Sequence, residues 1–270
     1  MKRCEKRNIL YRNWGCSSPR AAIILIHGLG GHSNNWDFMA NFLAGHGISS
    51  YAIELKGFGN TEGVRGHIDS LNTYIKDVRR LYSIVKREHR RLPVFIAGES
   101  MGGLIAFLLT IKKPRLFSGM VCMSPGFASR LKFSLLEYLK MVSARFYNSK
   151  KQFVMPFTAE MCTRDPECKK IIEDDKLEHR FATPRLLHSI LLAQLSSKLF
   201  KHKVRTDTLF LLPGNDTFVN SDVSKDIFRG IKFEHKEIIE YPEMRHSLNM
   251  ELGRENVFRD LLKWLEKRLK

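Results

Sequence analysis

Ser100 is the residue around which a reaction could be built. It stands in Gly98-Glu99-Ser100-Met101-Gly102, a serine with glycines two before and two after. Upstream, Val94-Phe95-Ile96-Ala97 is a short apolar run that reads as a fully buried strand. Downstream, Gly103-Leu104-Ile105-Ala106-Phe107 opens an apolar-periodic run that reads as a helix. A strand that turns at once into a helix crowds the residue at the bend, and the two glycines let the backbones pass. The serine is then held in a strained conformation with its hydroxyl exposed, and the new helix points its N-terminus at the reacting centre. Two Gly and one Ser at these offsets arise by chance in about one chain in ten of this composition, so the rest of a site must be found before the pattern means anything.

A serine hydroxyl is a poor nucleophile without a base, and the base needs an orienting carboxylate. Two histidines, His235 and His246, follow the late acidic candidates. His235 precedes the last predicted strand and falls at its amino end. His246 follows that strand and falls at its carboxyl end, where parallel sheets carry their sites. The same test sorts the acids: Asp207 precedes its strand, whereas Asp216 follows it after Pro213-Gly214, with Asp222 and Asp226 nearby. Ser100, Asp216 and His246 therefore form the candidate triad. Ser124 also ends a strand, but Pro125 follows it without an elbow, so it reads as structural or lining. The developing oxyanion needs two backbone N–H groups. Met101 supplies one by position. The other is expected from His27-Gly28-Leu29-Gly30, which resembles the oxyanion loop of lipases and esterases, with Leu29 as the donor.

Strands and helices alternate around these residues. Residues 8–14 read as an edge strand, 21–27 as an unbroken buried strand, and 48–55 as the next. A helix with Trp36, Met39, Phe42 and Leu43 on one side follows the candidate cap Ser33. After a glycine-spaced loop at 57–67, Leu71, Ile75, Val78, Tyr82 and Val85 keep a helical period. Pro93 begins the strand leading to Ser100, and Phe117 to Met123 is another. From about Pro125 to Arg205 no strand precedes a helix; amphipathic runs at 131–146, 168–179 and 184–200 read as an inserted cap. Strand and helix return at 208–212 and 219–228, then a strand at 236–241 and a final helix at 252–269. The class is α/β, a mostly parallel sheet with helices on both faces. The core takes 1–124 and 206–270, and the cap 125–205.

The chain has 270 residues and a formal net charge of +17, which favours acidic partners or an anionic lipid surface. Nothing resembles a DNA- or RNA-binding motif, so no nucleic acid partner is expected. The charged N-terminus lacks the apolar stretch of a signal peptide, and no apolar run reaches the length of a membrane-spanning helix. The five cysteines, Cys4, Cys16, Cys122, Cys162 and Cys168, show no metal-ligand spacing. Reduced thiols and a cytoplasmic location are the expectation; a Cys162–Cys168 disulfide would suit export. The cap carries the apolar stripes Leu135, Leu136, Leu139, Val142 and Leu187, Ile190, Leu191, Leu195. Lys132, Lys140, Arg145, Lys150 and Lys151 lie close by, as in a basic amphipathic lid resting peripherally on an anionic membrane.

Taken with the Gly57-Phe58-Gly59-x-x-Glu62-Gly63 loop and Gly66-His67, these motifs resemble the monoacylglycerol lipase and lysophospholipase branch of the α/β-hydrolases, a branch grouped with serine aminopeptidase S33-type enzymes. The resemblance covers nearly the whole chain and is weak in the cap. It implies an α/β-hydrolase fold with a helical cap inserted after the sixth core strand. It also implies a serine esterase acting on monoacylglycerols or lysophospholipids through an acyl-enzyme, with Leu29 and Met101 as oxyanion donors and no metal or organic cofactor. The second glycine loop would shape the floor of the site, with no catalytic role for His67. A short-chain carboxylesterase, an amide or peptide hydrolase, and a non-catalytic binding protein on the same fold are the alternatives.

Overall fold

Unbroken apolar runs become strands buried on both faces, and the chain lays eight strands side by side. The computed structural model describes residues 2–4, 9–131 and 133–269; Asn8 and Lys132 of the sequence reading lie outside the described residues. The strands are β1 (Lys2–Cys4), β2 (Ile9–Trp14), β3 (Ala21–Ile26), β4 (Ile48–Glu54), β5 (Val94–Glu99), β6 (Gly119–Met123), β7 (Phe153–Val154), β8 (Phe181–Ala182), β9 (Thr208–Pro213) and β10 (Lys236–Tyr241). The large sheet runs β1-β2-β4-β3-β5-β6-β9-β10. Strand β2 is antiparallel to both neighbours, and every pairing from β4 to β10 is parallel. The stretch at 8–14 was expected at the edge, but β1 covers it. That strand is three residues long, two charged and one cysteine, with no apolar alternation to betray it.

Helices cover both faces. Helices α1 (Asp37–Gly45) and α9 (Arg254–Glu266) bury Met39, Leu43, Leu261 and Trp264 against one face. Helices α2 (Leu71–Glu88), α3 (Met101–Lys112) and α8 (Ser221–Arg229) bury Tyr74, Phe107 and Ile227 against the other. Ser33 does not cap α1. A turn of 3-10 helix at Ser33–Trp36 intervenes, and the His32 side chain caps it by accepting from the Asn34 N–H.

Between β6 and β9 the chain leaves the sheet. Helices α4 (Leu135–Tyr147), α5 (Ala159–Cys162), α6 (Pro166–Asp174) and α7 (Pro184–Phe200) start where their caps dictate. Ser134 and Glu137 form a reciprocal capping box, and Asp165 and Thr183 cap helices that open on proline. This segment is not purely helical: β7 and β8 pair antiparallel, and β8 leads into α7. Two-residue strands are too short to leave a period-two pattern. The run expected to be helical to His179 ends at Asp174, and Glu178 and His179 lie beyond it. Cys162 and Cys168 are buried free thiols and form no disulfide.

The parallel register brings five strand ends to one edge. Gly98 lies opposite Ile26, Glu99 opposite Met123, Met123 opposite Leu211, and Pro213 opposite Tyr241. His27, Ser100, Ser124, Asp216 and His246 all follow those ends.

Candidate active site

The bend at Ser100 is as tight as its glycines require. Ser100 has φ 56° and ψ −120°, in the left-handed half of backbone space where a side chain is strained. A Cβ on Gly98 would sit 2.2 Å from the Gly102 carbonyl oxygen, and a Cβ on Gly102 would sit 2.0 Å from that of Ile26. Strand β5, helix α3 and the end of β3 thus pass with no room for a methyl. The Ser100 N–H donates to the Met123 carbonyl at 3.0 Å, and the Ser100 carbonyl accepts from Gly126 at 2.9 Å, which pins the bend to β6 and the residues after it.

His246 and Asp216 meet as a pair. The Nδ1 of His246 lies 2.8 Å from Asp216 Oδ2, and the carboxylate's other oxygen accepts from the N–H groups of Phe218 and Val219 at 2.7 and 3.0 Å. Burial opposes ionisation of Asp216, but His246 and those two N–H groups outweigh it and hold the carboxyl below its ordinary value. Burial likewise opposes charging of His246, yet the Asp216 carboxylate, with Glu99 adding, raises the imidazole above 6.5. The edge of Phe218 packs on the ring at 4.7 Å between centroids. The hydroxyl of Ser124 donates to the His246 carbonyl at 2.6 Å, so Ser124 is a brace for the histidine loop.

The loop after β3 closes on the serine. A Cβ on Gly28 would lie 3.0 Å from the Ser100 Cβ and 3.6 Å from its Oγ. The ring of His27 anchors this loop: Nδ1 donates to the Gly28 carbonyl at 2.8 Å and Nε2 accepts from the Leu55 N–H at 3.1 Å. Burial lowers its pKa to about 4, so the ring stays neutral in that role. Met101 opens α3, where backbone N–H groups have no partner within the helix. Leu29, Ser100, Met101 and His246 all line one cavity of about 280 Å³.

The rejected candidates sit elsewhere. His235 is exposed and lies where β10 begins, its carbonyl accepting from Thr208 at the start of β9. Asp207 pairs with Arg268 at 2.8 Å, Asp222 faces Arg130 at 3.7 Å, and Asp226 pairs with Arg229 at 2.7 Å. His67 bonds Thr183 across to the inserted segment at 3.0 Å.

Three carboxylates escaped the sequence reading. Glu54 accepts from the N–H groups of Ser33 and Asn60 at 2.7 and 2.8 Å, tying the two glycine loops together. Glu251, fully buried, accepts from the N–H groups of Arg164, Arg245 and Leu252 at 3.0, 2.8 and 2.8 Å. It fastens the inserted segment to the histidine loop. Glu99, beside the serine, faces the cavity. No periodicity marks such residues; the elbow alone could have drawn attention to Glu99.

The cavity walls are mostly apolar, among them Leu131, Phe133, Met155, Phe157, Leu187 and Ile190. The second predicted stripe is therefore divided: Leu187, Ile190 and the half-exposed Leu191 line the cavity, whereas Leu195 is exposed outside it.

Known proteins share this architecture. The sequence profile of the family described as "Serine aminopeptidase, S33" matches residues 17–253. Monoglyceride lipase of Mus musculus is 32% identical over 146 residues, 54% of this chain and 46% of that protein, so the match spans about half of the mouse enzyme. Monoacylglycerol lipase of Mycolicibacterium smegmatis is 25% identical over 260 residues, covering 95% of this chain and 92% of the bacterial protein. The crystal structure of Paleococcus ferrophilus monoacylglycerol lipase superposes with a TM-score of 0.87 at 23% identity, over 97% of this chain and 99% of that one. At that identity the superposition speaks for the fold. The family profile, which spans the elbow and the two loops that meet at it, places the chain: it belongs to the serine aminopeptidase S33 family of α/β-hydrolases.

Proposed function

We propose that this protein is a serine hydrolase of lipid carboxylic esters that works through an acyl-enzyme. The observation that carries the reading is the buried Asp216–His246 pair, 2.8 Å apart, opening into the same apolar cavity as the strained Ser100. Ser100 Oγ attacks the ester carbonyl carbon while His246 Nε2 takes its proton, and Asp216 holds the ring tautomer and balances the imidazolium. The N–H groups of Leu29 and Met101 receive the oxyanion. Collapse of the tetrahedral intermediate breaks the bond to the alcohol oxygen, which takes the proton from His246. Water then attacks the acyl-enzyme, giving its proton to His246. A second collapse frees the fatty acid and returns the proton to Ser100.

The acyl chain is assigned to the wall formed by Leu131, Phe133, Met155, Phe157, Leu187 and Ile190. The inserted segment acts as the cap that supplies much of that wall, within boundaries of about 125–205. Its outer surface supports a peripheral membrane contact. Leu135 is 73% exposed and Phe146 86%, with Lys140, Lys150 and Lys151 exposed around them. Among the described residues, no helix is long and apolar enough to cross a membrane.

Ser100→Ala is expected to keep the fold and lose about three or more orders of magnitude in kcat on a medium-chain acylglycerol. Wild-type protein should take up one equivalent of an alkyl fluorophosphonate on Ser100, and Ser100→Ala none. Turnover retained by Ser100→Ala would end the reading.

A further inference from the structure

Residues 57–67, the glycine loop expected to shape the floor of the site, line no part of the substrate cavity among the described residues. They face the inserted segment instead. Its residues 175–183, between α6 and α7, run as a strap across both glycine loops. Two strap carbonyls lie where a side chain would otherwise begin. A Cβ on Gly66, at φ 66°, would sit 2.0 Å from the Phe181 carbonyl oxygen, and one on Gly30, at φ 89°, would sit 2.6 Å from that of His179. Both turns are therefore open to glycine only.

His179 joins the two loops. Its N–H donates to the Gly30 carbonyl at 3.2 Å, its Nε2 donates to the Gly57 carbonyl at 3.0 Å, and its Nδ1 accepts from the Phe181 N–H at 3.2 Å. The ring lies flat on Phe58, with centroids 5.1 Å apart and planes 5° from parallel. Burial, with Arg65 adding, lowers its pKa, so the ring keeps the neutral tautomer that both side-chain bonds require. Asp175 holds the other end of the strap, its Oδ2 accepting from His32 Nε2 at 2.7 Å. The Nδ1 of His32 accepts from the Asn34 N–H, which leaves the ring proton on Nε2. Leu29 stands between these anchors. The peptide that carries its N–H is fixed where His27 holds the Gly28 carbonyl, and in a planar trans peptide the N–H then points the opposite way. Beyond Leu29, His179 holds the Gly30 carbonyl and Asp175 holds the loop's exit at His32.

Resting on the esterase reading above, we propose that the strap aims the Leu29 N–H at the oxyanion, with His179 and Asp175 as its positioning residues. Neither lines the cavity; they act on the loop that does. The oxyanion hole is thus assembled from two parts of the chain, Met101 being set by the elbow of the core and Leu29 by the insertion. A donor out of line weakens the hold on the transition state and spares that on the ester, whose carbonyl oxygen carries little charge.

The test uses a butyrate nitrophenyl ester, with active sites counted by fluorophosphonate uptake so that unfolded protein is not scored. His179→Phe keeps a ring on Phe58 and loses both side-chain hydrogen bonds, His179→Gln restores a donor and an acceptor, and Asp175→Ala frees the other end. Per titrated site, His179→Phe and Asp175→Ala should each lose about tenfold in kcat and in kcat/KM alike, with His179→Gln within about threefold of wild type. An alkyl trifluoromethyl ketone, which adds to the Ser100 hydroxyl and places an oxyanion in the hole, should bind about tenfold more weakly to the two impaired variants. Decanol, which fills the apolar wall and forms no oxyanion, should bind them as it binds wild type. The anchors lie at opposite ends of the strap, so a variant lost to misfolding leaves the other to decide. Unchanged kcat per site in the variants that fold, or equal weakening of ketone and decanol, would overturn the positioning role and leave the esterase reading standing. A wild type that cleaves no ester and takes up no fluorophosphonate would end that reading, and this proposal with it.

Discussion

A buried histidine serves as a base only while neutral, and the carboxylate that orients it also makes it easier to protonate. The Asp216 carboxylate against Nδ1, helped by Glu99, lifts His246 above 6.5 in spite of its burial. The sign follows directly. As pH falls through the raised value the ring is charged, the lone pair at Nε2 is lost and turnover stops. The acid limb of kcat/KM should therefore have its midpoint above 6.5. In Asp216→Asn the residual activity, lower by about 10²- to 10⁴-fold, should carry a limb displaced to lower pH, because the charge that raised the ring is gone. A limb that stays in place would show that Asp216 does not govern the imidazole. His235→Ala, far from the cavity, should change neither rate nor limb.

Elements differ in how plainly they announce themselves. Strands β3, β5, β6 and β9 were legible because burial on both faces demands unbroken apolar runs, and the elbow was legible because Gly98 and Gly102 have backbone in place of a Cβ. Strand ends then sorted His246 from His235 and Asp216 from Asp207, since a parallel sheet gives its two edges different tasks. What escaped is structure held by polar contacts of long sequence separation. Strands β7 and β8 are two residues each. The bond from Ser124 to the His246 carbonyl joins residues 122 positions apart. Glu251 is another such case, and it carries a prediction. Glu251→Ala takes the charged acceptor from the partly buried N–H groups of Arg164, Arg245 and Leu252, each bond to such an acceptor being worth about 1.5–3 kcal/mol. Denaturant unfolding should show a loss of about 3 kcal/mol or more, and kcat should fall because the same residue anchors the loop that carries His246. A variant as stable as wild type would remove Glu251 from the joint between segment and core.

At the scale of the molecule, charge and site are divided: cations dominate the surface, while the described cavity lining carries two acids and neither lysine nor arginine. The surface charge is therefore assigned to location. Each cation close to an anionic bilayer contributes on the order of 1 kcal/mol, screened over about 8 Å at physiological salt. Replacing Lys140, Lys150 and Lys151 by Gln should weaken binding to vesicles rich in anionic lipid and lower lipid turnover there, with butyrate ester hydrolysis unchanged. High salt should reproduce the effect on vesicles alone. Equal vesicle binding by the triple variant at low salt would leave the exposed face of α4 without a membrane role.

The insertion between β6 and β9 has a mechanical consequence. These two strands lie side by side, Met120 opposite Thr208 through Met123 opposite Leu211, although more than eighty residues of chain separate them. Ser100 lies on one side of that excursion, and Asp216 and His246 lie on the other. Lys150 and Lys151 are exposed in the turn after α4. A single tryptic cut there would make two polypeptides, one bearing the nucleophile and the other the base. The β6–β9 seam should nonetheless hold them as a working two-chain enzyme. After such a nick, native-state chromatography should show one species that still cleaves butyrate ester, and denaturing electrophoresis should show two bands. The continuity of the backbone would then matter to the folding of this protein more than to its catalysis.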